Sequence, residues 1–155
     1  MLIRRMVESD LDAVERLAAA SSPDATIWTR SQHLEVLAKH DLYETLVAEE
    51  AGSVAGFLYF HVMGEEAELD NLAVDPLWRR RGIGAQLLES AWQRARERGA
   101  LAIFLEVRRS NTTALRLYAR MGFLQLGTRA SYYTNPSEDA IRLVRRRLQI
   151  SDGKT

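Results

Sequence analysis

The sequence predicts an α/β (α+β) domain with a mixed, mostly antiparallel central sheet of about seven strands and helices on both faces. Three observations carry that prediction. Apolar periodicity gives the order β-α-α-β-β-β-α-β-α-β-β along the chain. Gly52-Ser53 separates two apolar strand patterns in the manner of a hairpin turn. The 155 residues, 46% hydrophobic and 27% charged, are ordinary for one globular domain with an adequate core, placed at residues 1–148 with 149–155 as a tail.

Leu2 to Met6 is the first strand. Ser9-Asp10 then offers a helix cap before Leu11, Val14, Leu17 and Ala18. A polar loop from Ser21 to Thr26, with Pro23, leads through Trp28-Thr29 into a second helix over Gln32–His40, with Leu34 and Leu37 facing inward. Glu44–Glu49 and Val54–Val62 are the hairpin strands, and Gly64-Glu65-Glu66 turns the chain into Glu68–Val74. Asp75-Pro76 ends that strand, because proline lacks a ladder donor and restricts its predecessor. Ile83, Leu87, Leu88, Ala91, Trp92 and Ala95 keep helical spacing up to Gly99, which suits a left-handed C-cap, with Arg94, Arg96 and Arg98 at the negative end of the dipole. Leu101–Val107 is a strand. Ser110 or Asn111 caps a short helix carrying Ala114, Tyr118 and Met121, and Gly122 ends it. Phe123–Thr128 and Ile141–Leu148 are the last strands.

Composition excludes several function classes. The formal net charge is zero, so no global field draws the chain to nucleic acid, and no interleaved basic and aromatic stripe suggests direct nucleic-acid binding. Arg145-Arg146-Arg147 reads as the solvated end of the last strand. Without cysteine there is no thiolate nucleophile, disulfide framework or cysteine zinc site. His33, His40 and His61 show no metal spacing, so no metal is expected, and Met6, Met63 and Met121 read as core filler. No signal-like stretch or long apolar run is present, so the expectation is a cytoplasmic protein with no membrane role.

The stretch Trp78-Arg79-Arg80-Arg81-Gly82-Ile83-Gly84-Ala85 lies between a strand and a helix, where unpaired N–H groups and the helix dipole favour an anion. A dinucleotide fingerprint requires a third glycine, but Ala85, Gln86 and Leu87 follow Gly84. A P-loop requires Gly-Lys-Ser/Thr, which the chain lacks. What stands here is Arg-x-x-Gly-x-Gly, at Arg79, Gly82 and Gly84, after Leu72-Ala73-Val74-Asp75-Pro76.

That pattern resembles the acetyl-CoA pyrophosphate loop of the GNAT superfamily of N-acetyltransferases. A second motif, Leu105-Glu106-Val107-Arg108-x-Ser110-Asn111-x-x-Ala114-x-x-Leu117-Tyr118-x-x-x-Gly122-Phe123, resembles the catalytic segment of the RimI-like alanine N-acetyltransferases, which modify ribosomal-protein N-termini. The similarity runs from Leu2 to about Leu148 and includes Tyr132-Tyr133 and Glu138-Asp139-Ala140. It implies the GNAT fold and acetyl-CoA as co-substrate. It implies Glu106 as proton acceptor and Tyr118 as proton donor. The donor would be held by Leu72, Ala73 and Val74, by Arg80, Arg81, Gly82, Ile83, Gly84 and Ala85, and by Asn111. In one place the chain departs from the family: RimI-like proteins often carry Phe-Pro before the tryptophan of the substrate loop, whereas Thr26-Ile27 precedes Trp28 here. That bears on peptide preference, not on the fold.

The chemistry agrees with those roles. Acyl transfer from a thioester to an amine requires a neutral amine, a held carbonyl and a proton for the departing thiolate. Glu106 ends an apolar strand, where desolvation is expected to push its pKa upward, or it is a rim glutamate paired with Arg79 or Arg108. Asn111 and Tyr118, two helical turns apart, fall on one helix face, and Asn111 can serve as cap and ligand together. An α-amine of pKa about 8 is roughly 250-fold more available as free base at neutral pH than a lysine near 10.4, which suits a modest base. The expected acceptor is therefore a protein N-terminus, an alanine of a ribosomal protein, with Trp28, Tyr132 and Tyr133 as groove walls and Glu49, Glu66, Glu138 or Asp139 attracting a basic segment. Alternatives are a small-molecule amine acceptor and a non-catalytic acyl-CoA-binding module. Sequence leaves the oligomeric state open.

Overall fold

The computed structural model describes residues 1–21, 28–133 and 137–147. Seven strands form one sheet: β1 (Leu2–Arg5), β2 (Tyr43–Glu50), β3 (Ser53–Met63), β4 (Glu66–Val74), β5 (Ala102–Arg108), β6 (Leu124–Tyr133) and β7 (Glu138–Arg146). The helices are α1 (Leu11–Ser21), α2 (Arg30–Ala38), α3 (Ile83–Glu97) and α4 (Thr112–Arg120). Strand order is β1-β2-β3-β4-β5-β7-β6, and β4 against β5 is the parallel pair while the others are antiparallel.

β3 reads as a nearly continuous apolar run, and β2 carries Leu46-Val47-Ala48 at its centre, because both faces of the sheet are covered. On one face Leu46, Leu58, Phe60, Ile103 and Leu105 pack against Ile83, Leu87, Leu88, Ala91 and Trp92 of α3. On the other, Val47, Phe57 and Tyr59 meet Leu11, Val14 and Leu17 of α1 and Val36 of α2. Gly56 makes the α3 contact possible: a Cβ there would lie 3.1 Å from the Ala73 carbonyl oxygen and 3.2 Å from both Ile83 Cγ2 and Leu87 Cδ1.

The site depends on how β4 and β5 part. They pair only at Glu66↔Ala102, Ala67↔Ile103 and Glu68↔Phe104. A bulge in β4 follows directly, since the partner of Phe60 is Leu69 and that of Tyr59 is Asn71, which leaves Asp70 as the extra residue. A bulge bends and twists its strand. β4 therefore leaves β5, and a cavity opens between them.

Several expectations need correction. α2 spans Arg30–Ala38, two residues earlier than the reading from Gln32 to His40, because Thr29 caps it and exchanges hydrogen bonds with Gln32. Its buried residues are His33 and Val36, while Leu34 is exposed and Leu37 only partly buried. His33 turns inward because its Nδ1 meets the Tyr59 hydroxyl at 2.9 Å, whose proton goes to Met6 Sδ at 3.4 Å. Met6 is buried in the core on the α1 face and Met121 packs against the core on the α3 face, but Met63 is 68% exposed at the end of β3. Arg145 is not free in solvent: it binds Glu89 at 3.0 Å and lies over the Trp92 ring. Of the expected loop from Ser21 to Thr26, Ser21 ends α1 and the remainder, with Ile27 after it, falls outside the described residues. The last strand spans Glu138–Arg146, starting three residues before the expected Ile141 and ending two before the expected Leu148.

Candidate active site

The cavity measures about 710 Å³ and is lined by Leu72, Ala73 and Val74 of β4, by Trp78–Arg80 and Gly82–Ala85 of the turn, and by α4 and the residues before it. Asp75 Oδ1 accepts the Leu77 N–H at 2.9 Å and starts a short 3-10 turn at Pro76–Trp78. The chain then takes positive φ at Arg80 (66°) and Gly82 (77°) before entering α3. Gln86 N–H closes the first helical bond, to Gly82 O at 3.0 Å, so the N–H groups of Ile83, Gly84 and Ala85 precede the ladder at the positive end of the dipole. At Gly84 a Cβ would lie 3.0 Å from Leu117 Cδ2, so the glycine lets α3 and α4 approach across the cavity.

The lining is cationic. Arg79, Arg80, Arg108, Arg116 and Arg120 face it, and no carboxylate does. Arg108 is held by Glu138 at 3.2 Å and lies over the Tyr133 ring, whereas Arg79, Arg80, Arg116 and Arg120 have no ion-pair partner among the described residues. A chain of zero net charge thus concentrates positive charge where a polyphosphate would sit. Of the residues read from sequence as donor ligands, Arg81 alone is not in the lining, because its guanidinium stacks 4.9 Å from the Trp78 ring centroid.

Asn111 and Tyr118 both line the cavity. Asn111 Oδ1 caps α4 by accepting the Ala114 N–H at 3.1 Å. Tyr118 is 6% exposed, its ring edge-on to Phe123, and burial pushes its phenol well above the usual value. Its hydroxyl proton is therefore retained throughout the neutral range.

Glu106 lies outside the cavity lining, on the β5 face opposite the α3 core. Sequence reading offered Arg79 or Arg108 as partners; the structure supplies Arg142 and Arg129 instead. Glu106 Oε1 meets Arg142 Nη1 at 3.1 Å and Arg129 Nη2 at 3.3 Å. Glu106 Oε2 is buried without a hydrogen-bond partner. Arg142 is the site residue that sequence reading missed: it faces Glu106 only through the β5/β7 register, which no local pattern encodes.

Tyr133 adjoins Glu106: burial, together with that carboxylate, pushes its phenol up to about 12. Tyr132 stacks edge-on against Tyr133 at 5.1 Å and under Arg129, leaving half its surface exposed. Trp28 sits elsewhere on this face of the sheet, 5.5 Å from both the His33 and Tyr59 rings. Three of the four acids offered as attractors of a basic segment are already engaged: Glu49 by Arg4, Glu138 by Arg108, and Asp139 by Arg109.

At the level of class this is an acyltransferase, with a cationic cavity at a helix N-terminus and the buried Tyr118 phenol in its wall. The chain belongs to the acetyltransferase (GNAT) family, whose sequence model matches residues 10–123. A Bacillus subtilis (strain 168) protein provisionally named ribosomal protein bS18-alanine N-acetyltransferase is 32% identical over 139 residues, covering 90% of this chain and 91% of its own. The Escherichia coli (strain K12) ribosomal protein bS18-alanine N-acetyltransferase is 42% identical over 92 residues, which cover 58% of this chain and 62% of that one. The crystal structure of the Escherichia coli enzyme superposes with a TM-score of 0.83 at 31% identity, over 94% of this chain and 92% of that one. A Salmonella typhimurium protein provisionally named an acetyltransferase, solved with its cofactor acetyl-CoA, shares the fold at a TM-score of 0.82 and 22% identity, over 94% of this chain and 93% of that one. Among the described residues no helix is long and apolar enough to cross a membrane.

Proposed function

We propose that this chain acetylates the α-amine of a protein N-terminus, an alanine of a ribosomal protein, by direct transfer from acetyl-CoA in a ternary complex. The observation that carries the reading is the half-engaged Glu106 carboxylate, with Oε1 held by two guanidinium groups and Oε2 buried and bare. A bare, fixed lone pair is what a general base requires. The relatives named for alanine acetylation of bS18 support the acceptor.

In this reading the pyrophosphate of the donor lies on the N–H groups at Gly82–Ala85 and beside Arg80, with Arg81 held near by Trp78 and Asn111 closing the α4 side. Leu72, Ala73 and Val74 flank the pantetheine arm, because β4 has left β5 there. Glu106 Oε2 takes the proton of the attacking amine, directly or through a water, as the C–N bond forms. Tyr118, whose phenol stays protonated because burial raises it, gives its proton to sulfur as the C–S bond breaks. Tyr132, Tyr133 and Trp28 wall the approach of the peptide.

Incubating pure protein with acetyl-CoA and short peptides tests the reading. Peptides beginning with alanine are expected to be acetylated at the α-amine in preference to lysine side chains or free polyamines. Acetylation of lysine with the α-amine untouched overturns the acceptor class, and near wild-type turnover by Glu106→Gln overturns the base.

A further inference from the structure

Arg142 has no role in the chemistry described so far, yet it occupies the point where the site is built. It stands directly opposite Glu106 in the β5/β7 register. Its guanidinium lies 4.9 Å from the centroid of the Phe104 ring and reaches two carboxylates on different strands: Glu106 Oε1 at 3.1 Å, and Glu68 with both oxygens at 3.5 Å. Glu68↔Phe104 is the last pair before β4 and β5 separate. The side chain therefore spans the root of the opening, clamped by a ring on one side and a carboxylate on each strand. The fork of an arginine fits that task, since it can satisfy two carboxylates in one plane.

We propose that Arg142 is a positioning residue for acetyl transfer, anchored by Glu68 so that it holds Glu106 by Oε1 and leaves Oε2 as the oxygen presented to the amine. The inference rests on the reading of Glu106 as base. It follows from three facts of geometry: one carboxylate oxygen takes both guanidinium contacts, the other is buried and bare, and the arginine that makes the shorter contact is itself fixed by a partner with no contact to Glu106. Arg129, 54% exposed and stacked on Tyr132, is the weaker second hold.

The charged and titratable groups that face Glu106 are Arg142 on β7, Arg129 and Tyr133 on β6 and, through Arg142, Glu68 on β4. Asp70, hydrogen-bonded to His61 Nδ1 at 2.8 Å, stands next to Glu68, and Arg108 on the same strand as Glu106 is occupied by Glu138. Removing Arg142 therefore withdraws the stronger of two cations from the base. Removing the charge of Glu68 does the opposite, because Arg142 then answers to Glu106 alone.

The test is the pH profile of kcat at saturating acetyl-CoA and alanine peptide for wild type, Arg142→Met, Arg142→Lys and Glu68→Gln, with acetyl-CoA affinity measured alongside. Arg142→Met is expected to raise the acid limb by about one pH unit and lower the plateau roughly tenfold, with acetyl-CoA affinity within about twofold. Arg142→Lys keeps the limb near its wild-type place but loses the plateau, because an ammonium cannot fork between two carboxylates. Glu68→Gln moves the limb downward. A role confined to folding predicts no such opposed shifts, and if Arg142→Met fails to fold, the lysine and Glu68 variants carry the test. Unmoved limbs beside a crippled Glu106→Gln overturn the positioning role and leave the base standing; an active Glu106→Gln removes both.

Discussion

Replacing Arg116 and Arg120 with glutamine tests the donor site most directly. Both lie on α4, one helical turn apart, line the cavity, and have no ion-pair partner among the described residues. Both are solvent-exposed, so each is worth about 1 kcal/mol against a nearby phosphate charge, the high-dielectric value, and not the several kcal/mol of a buried pair. About 1 kcal/mol is roughly a fivefold loss of affinity, and the double variant should lose about 30-fold. Titration calorimetry with acetyl-CoA at low salt reads that number directly. Repeating it near 1 M salt, where screening acts over about 3 Å, should shrink the gap to under threefold. S-acetyl-pantetheine, which carries no phosphate, should show no difference between wild type and variant. An equal loss with the neutral fragment, or a loss that ignores salt, refutes the assignment of this cavity to a phosphate-bearing donor.

Other outcomes follow from the same geometry. Tyr118→Phe should lower kcat about 100-fold with acetyl-CoA affinity unchanged, and wild-type turnover in that variant would remove the proton donor. Gly56→Ala places a methyl against Ala73, Ile83 and Leu87; it should cost about 1–2 kcal/mol and lower the melting midpoint by roughly 5 °C, whereas an unchanged midpoint would mean α3 can retreat from β3 freely. Asp10→Asn removes a buried carboxylate that accepts two bonds from Arg4 and one from the Val7 N–H; because Arg4 keeps Glu49, the cost should be near the low end for a broken buried pair, about 3 kcal/mol by calorimetry near neutral pH. Burial alone would raise the Asp10 carboxyl, but those bonds outweigh it and hold it below the usual range, so its contribution is complete above the unfolded value of about 3.9 and fades as pH falls through the depressed one. The gap between wild type and Asp10→Asn should close on that acid side, and a gap constant to pH 2 would contradict the pairing.

Much of this architecture is written locally. The Arg-x-x-Gly-x-Gly turn, the glycines ending α3 and α4 with φ of 93° at Gly99 and 87° at Gly122, and the apolar run of β3 are each set by a few neighbouring residues, and each was legible. What stayed hidden depends on residues distant in sequence. Arg142 and Glu106 meet across 36 positions, and their contact follows from a register fixed only when β7 slots between β5 and β6. His33 is buried because Tyr59, 26 positions away, offers a hydroxyl; a helix with almost no apolar asymmetry gave no hint of which side turns inward. The Asp70 bulge, which starts the separation of β4 from β5, looks in sequence like an ordinary strand residue.

The ladder between β4 and β5 has three residue pairs, so the sheet has a seam in place of a continuous middle. A molecule lodged in the opening spans that seam and reaches secondary structure on both sides of it, from β4 and the start of α3 to α4. The two halves then resist separation together, and the amides of β4 beyond Glu68 should exchange with solvent more slowly in the loaded protein than in the empty one. A donor bound there would also be a fastener, and the protein is expected to be most solid when charged for reaction and loosest once coenzyme A has left.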